Sequence, residues 1–123
     1  MGVWIEDLAD EDHDLKVNWW NWRVILRIIE AMGLIDNERI EMMGYNFTGV
    51  KVSKEESRQI AAHLRDRLSN MNPGERILWD LSKTSEPDSG VFHEDPSDDY
   101  SALYHVLKDF SEFLDECDGF TVS

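Results

Sequence analysis

The string Asn18-Trp19-Trp20-Asn21-Trp22-Arg23 packs three indoles and two amides into six residues. Such a set could line an aromatic pocket or anchor a partner, because Trp combines a large apolar surface with a polar tip. On a helix, Trp19 and Arg23 stand four apart, the spacing for a cation–π contact. Asn21 falls within the apolar arc of that helix, and Asn18 lies near its N-terminal end. A buried amide must find hydrogen-bond partners, here either a neighbouring loop backbone or a ligand. Asn18, Trp19, Asn21, Trp22 and Arg23 therefore form a candidate ligand pocket. The plainer reading is favoured: the indoles fill core and the amides pin a loop, as aromatic stripes on a central helix usually do.

The four histidines each have a carboxylate close in sequence. His13 sits between Asp12 and Asp14, His93 precedes Glu94 and Asp95, and His63 stands three before Asp66. His105, Asp109 and Glu112 share one helix face at i, i+4 and i+7. Joined by His93 from a loop, His105 and Asp109 could hold a divalent metal and activate water. None of these spacings matches a recognised ligand motif, so solvated histidines on an acidic surface are the favoured reading. The run Asp10-Glu11-Asp12-His13-Asp14 has Leu15 where a calcium loop needs glycine, which speaks against calcium.

Nucleophilic catalysis finds little footing. Cys117 lies on an apolar helix stripe beside Glu116 and Asp118, which disfavour a thiolate. No Gly-x-Ser-x-Gly elbow, phosphate-cradling loop or dinucleotide fingerprint is present. No cofactor is implied, and the sequence leans away from an enzyme.

The elements that must position these residues follow from periodicity. A first helix is predicted over Leu15–Met32, capped by Asp14 and stopped at Gly33, apolar around most of its circumference and hence central. Asp36 starts a short turn through Met43. Val50 to Val52 reads as extended. Ser53 and Glu56 form a capping box for a helix with the stripe Ile60, Ala61, Leu64, Leu68 and Met71. Arg76 to Leu81 suits a strand or a helical turn equally. Residues 82–97 form a polar loop. Ser97 or Asp98 then caps a last helix with the stripe Leu103, Leu107, Phe110, Leu114 and Cys117, ended at Gly119, before a tail strand Phe120–Val122. The expected fold is mainly α: one small domain, 1–123, of three main helices around the Trp-rich helix, with at most a minor β element.

Charge bears most directly on function. Twelve Lys and Arg oppose 26 Asp and Glu, a net charge of -14. Residues 1–15 carry six carboxylates and no base, and residues 84–123 carry 11 carboxylates against Lys108 alone. Between them, 11 bases and 9 acids leave the middle nearly neutral. A field of this sign repels nucleic acid and anionic membranes and favours basic proteins or cations. Solubility alone would also explain it, and Asp:Glu and Arg:Lys ratios near one decide nothing about a saline habitat. A single cysteine, the lack of a long apolar run and an acidic N-terminus point to a soluble cytoplasmic protein without a signal peptide.

The leading expectation is a non-enzymatic binder of a basic protein, of the inhibitor, immunity or adaptor kind. Its contact surface would be the acidic loop 84–99, with Asp95, Asp98 and Asp99, and the outer face of the last helix, with His105, Asp109, Glu112, Asp115 and Glu116, the acidic N-terminal run being a further candidate part. The alternative is a small-molecule or metal site at the Asn/Trp string or the His/carboxylate face.

Overall fold

The first residues of the chain alternate. Val3, Ile5 and Asp7 are buried while Trp4 is exposed, the two-residue period of a strand with one face on a core. In the computed structural model, which describes residues 2–10, 12–44, 49–85 and 101–122, this segment is strand β1 (Gly2–Asp7). It pairs antiparallel with β2 (Asp14–Asn18), Trp4 opposite Lys16 and Ile5 opposite Leu15. The chain then enters helix α1 (Trp19–Met32), α2 (Asn37–Gly44), the short strand β3 (Lys51–Val52) and α3 (Lys54–Ser69). Strands β4 (Arg76–Leu78), β5 (Lys83–Thr84) and β6 (Ser101–Leu103) precede α4 (Tyr104–Glu116) and β7 (Phe120–Val122).

Two antiparallel sheets result, one ordered β2-β1-β7-β3 and the other β5-β4-β6. This overturns the mainly α, all-helical expectation: the fold is α+β, with four helices and seven strands among the described residues. Two physical causes account for the difference. β1 carries a buried aspartate where the period-two pattern wants an apolar residue, so it resembles an acidic tail. Leu15 and Val17 follow the two-residue period of a strand, but a helix apolar around most of its circumference accepts an apolar residue at any angle, so the pattern alone does not mark the boundary at Asn18. Asn18, not Asp14, caps α1: its extended backbone and its Oδ1, which accepts the Asn21 N–H, begin the helix there.

Other boundaries follow the local chemistry. Gly33 closes α1 in the left-handed region at φ 71°. Ser53 and Glu56 form the reciprocal capping box of α3. The helix predicted from Ser97 or Asp98 starts later, at Tyr104, because Ser101–Leu103 pair with β4. Within the predicted loop 82–97, Lys83–Thr84 form β5, and the stretch 86–100 lies outside the described residues. Between β4 and β5, Leu81 holds φ 70°, a left-handed conformation that usually calls for glycine.

The core gathers on α1. Trp22, Val24, Ile25, Ile28 and Ile29 are buried there with Val3, Ile5, Val17 and Val122 from the first sheet. Trp22 meets Phe110 of α4 edge-on at 5.9 Å, and Phe110 meets Phe120 of β7 at 6.0 Å. The chain of rings ties helix, helix and sheet together. α4 packs against α3 on one flank and against β2 on another. Gly119, at φ 94°, lets the chain turn from α4 into β7, where a Cβ would stand 2.6 Å from the Val52 carbonyl oxygen.

Candidate functional site

The acidic N-terminal run meets the last part of the acidic C-terminal stretch, from α4 onward, in space. β7 lies beside β1, and the Leu8 N–H donates to the Gly119 carbonyl at 3.0 Å. Asp7 fastens the junction. Its Oδ1 accepts the Ala9 N–H at 3.0 Å and the Asp118 N–H at 3.1 Å, and its Oδ2 takes His13 Nδ1 at 2.8 Å. Burial opposes ionisation of this carboxyl. The bonds from His13, Ala9 and Asp118 outweigh that penalty and hold it below the ordinary aspartate range.

His13 links the same parts through its ring. It packs on Phe113 of α4 at 4.6 Å, and its Nε2 stands 3.6 Å from Glu116. Asp10, Asp12 and Asp14 are exposed around this turn, and Asp109, Glu112, Asp115, Glu116 and Asp118 are exposed on α4 and just beyond it. Lys54 answers Asp118 at 3.2 Å, and Arg65 of α3 bonds Asp115. Among the described residues no cation pairs with Asp109 or Glu112.

Of the expected contact residues, His105, Asp109, Glu112, Asp115 and Glu116 thus lie on α4, all exposed. Asp95, Asp98 and Asp99 lie outside the described residues, as does His93 of the candidate metal set. Among the described residues no group of three or more His, Cys, Asp or Glu is placed to hold a metal ion.

The Asn/Trp string is spent largely on the fold. Trp22 is buried and donates its Nε1–H to the Met43 carbonyl at 3.1 Å. Asn21 donates through Nδ2 to Asn18 Oδ1 at 2.7 Å and accepts the Leu103 N–H on its own Oδ1 at 2.8 Å, pinning β6 to α1. Arg23 stacks on Trp19 at 4.6 Å, the contact that the four-residue spacing predicts. One turn on, Arg27 stacks on Trp79 at 4.6 Å and donates to its carbonyl at 2.7 Å. Trp20 points outward, 52% exposed.

Sequence reasoning missed Asp7, Trp4 and the β2 edge. The available signal was the alternation of Val3, Ile5 and Asp7 against Trp4 and Glu6. Trp4 is 43% exposed on the outer face of the first sheet, its Nε1–H bonded to Asp14 at 2.8 Å and the Lys16 ammonium 5.9 Å from its ring centre.

No family model, curated protein or solved structure matches this chain. Among the described residues no helix is long and apolar enough to cross a membrane. Surface charge and geometry are what bear on function.

Proposed function

We propose that this chain is a small, acidic, non-enzymatic binding protein that engages a basic protein partner in the cytoplasm, as an inhibitor, immunity factor or adaptor does. The observation that supports this reading is the junction at Asp7, His13 and Glu116, which brings the acidic N-terminal run beside the carboxylates at the end of α4. Charge spread over two sequence termini becomes one concentrated field, which accelerates encounter with a cationic surface and selects against anionic ones. Nucleic acid is disfavoured as a partner on the same ground.

The test begins with capture from native lysate at low and high salt, followed by titration of the retained basic protein. Replacing Asp98, Asp99, Asp109 and Glu112 by Asn or Gln should weaken its binding at least about tenfold and flatten the dependence on salt. Unchanged affinity in that variant would refute the acidic-face reading.

A further inference from the structure

The first sheet ends at β2, and the backbone there is oriented for one more strand. In an antiparallel pair, directly opposed residues alternate between those that exchange hydrogen bonds and those that do not. The Asp7 N–H donates to the His13 carbonyl at 3.0 Å, so in this register Leu15 and Val17 also bond to β1. Asp14 and Lys16 alternate with them and turn their N–H and C=O groups away from β1. Among the described residues no strand pairs with that side of β2.

α4 runs along the same edge. Val106 shares a groove of about 340 Å³ with Gly2, Lys16, Val17 and Asn18, while Phe113 and Glu116 reach His13 at the other end of β2. At 100° per residue, Asp109 and Glu116 fall within about 80° of Val106, on the side away from Asp115, whose Arg65 partner marks the α3 flank. Glu112 lies one step further out. These carboxylates rise about 4.5 and 6 Å apart along the helix, shorter than the roughly 6.8 Å between alternate side chains of a strand, a difference that the long stems of Lys and Arg can span.

We propose that the free edge of β2, bordered by Asp109, Glu112 and Glu116 of α4, receives an extended cationic segment of the partner as an added strand. This rests on the reading that the partner is basic. The main-chain groups of Asp14 and Lys16 supply the pairing. Partner side chains opposite Leu15 and Val17 fall on the α4 side, and there Lys or Arg meets the carboxylates. A second copy of this chain is the poorer occupant: pairing β2 with β2 brings two acidic rows of α4 together and sets one net charge of -14 against another.

The probe is a nine-residue peptide alternating Arg with Thr, titrated into the intact protein while amide exchange is followed by NMR. Binding should slow exchange at Asp14 and Lys16 and leave Leu15 and Val17 nearly unchanged. Lys16→Pro removes one outward N–H at an edge position where proline is tolerated, and should weaken the peptide about tenfold. Lys16→Thr keeps the N–H and should bind like the parent, which separates the main-chain role from the lysine charge. Asp109→Asn/Glu112→Gln/Glu116→Gln should also weaken the peptide about tenfold, with a shallower salt dependence. If the carboxylate variant loses affinity while Lys16→Pro binds normally and the edge amides stay unprotected, the added strand is wrong and the acidic-face reading survives. Unaltered binding in the carboxylate variant overturns both. Edge amides already protected in a peptide-free dimer, found by sedimentation, would assign the edge to a second copy and overturn the proposal.

Discussion

Asn18 and Asn21 show how much a single amide can carry. Asn18 Oδ1 accepts both the backbone N–H and the side-chain Nδ2–H of Asn21, and Asn21 Oδ1 accepts the Leu103 N–H. One three-residue spacing thus caps α1 and moors β6, the strand that leads into α4. Replacing Asn21 by Leu leaves the Leu103 N–H without its acceptor in a buried setting, which should cost about 2 kcal/mol. Asn18→Ala removes the cap and should cost about 1 kcal/mol. The double variant should lose less than the sum of the two, because both substitutions remove the same bond from Asn21 Nδ2 to Asn18 Oδ1, and urea unfolding reads that coupling directly. Strict additivity would mean that the amides act independently. The sequence turned Asn21 correctly toward apolar surroundings but set the helix start at Leu15, four residues before the one that Asn18 caps. It counted the residues of β6 into the last helix, because the partner that holds them extended stands 82 residues away.

Among the elements, those with strong local chemistry were legible and those set by distant partners were not. The capping box of α3, the glycine stop of α1 and the apolar stripe of α4 each follow from residues within a few positions. β1 was hidden because Asp7 is buried only by virtue of bonds from His13, Ala9 and Asp118. The β4–β5 hairpin was hidden because Leu81 occupies the left-handed position where glycine would have signalled a turn. The junction of α2, β3 and α3 depends on Arg39, which donates to Glu56 at 2.9 and 2.6 Å, to the Lys51 carbonyl at 2.9 Å, and to Asp36. That bond from Arg39 is the first reason that the Glu56 carboxyl is lowered from 4.5 to about 2. A depressed folded value means that the ionised form favours folding. The contribution is therefore complete above about pH 4.5 and fades as pH falls toward 2. It should be worth on the order of 2 kcal/mol, seen as a falling urea midpoint between pH 6 and pH 3. Arg39→Met should lower the midpoint at pH 6 and make that slope shallower. A slope identical to the parent's would remove this clamp from the acid response.

At the scale of the molecule, the fold gathers the acidic residues of the N-terminal run and of α4 among the described residues. Asp10, Asp12 and Asp14 stand at the turn that His13 joins to α4, where Glu112, Glu116 and Asp118 are also exposed, and Lys54 is the cation that answers Asp118. Like charges gathered within about one Debye length of one another oppose the folded state, and added salt weakens that opposition. The ion pairs Arg65–Asp115, Lys54–Asp118 and Arg39–Glu56 pull the other way, since salt screens attraction as well. Arg65–Asp115 and Lys54–Asp118 are exposed and contribute little each, and salt screens the partly buried Arg39–Glu56 pair less, so repulsion should prevail. Raising sodium chloride from about 0.01 to 0.5 M should lift Tm by about 4 °C, equivalent to about 1 kcal/mol. Asp109→Asn/Glu112→Gln should be more stable than the parent at low salt and respond less to added salt, because neither carboxylate has a cationic partner among the described residues. A variant that gains stability here while losing a basic partner would separate the two roles of these carboxylates: a cost to the fold that is recovered only on binding. A Tm that falls with salt would instead mean that the ion pairs dominate, and that the acidic end is held together more tightly than it is pushed apart.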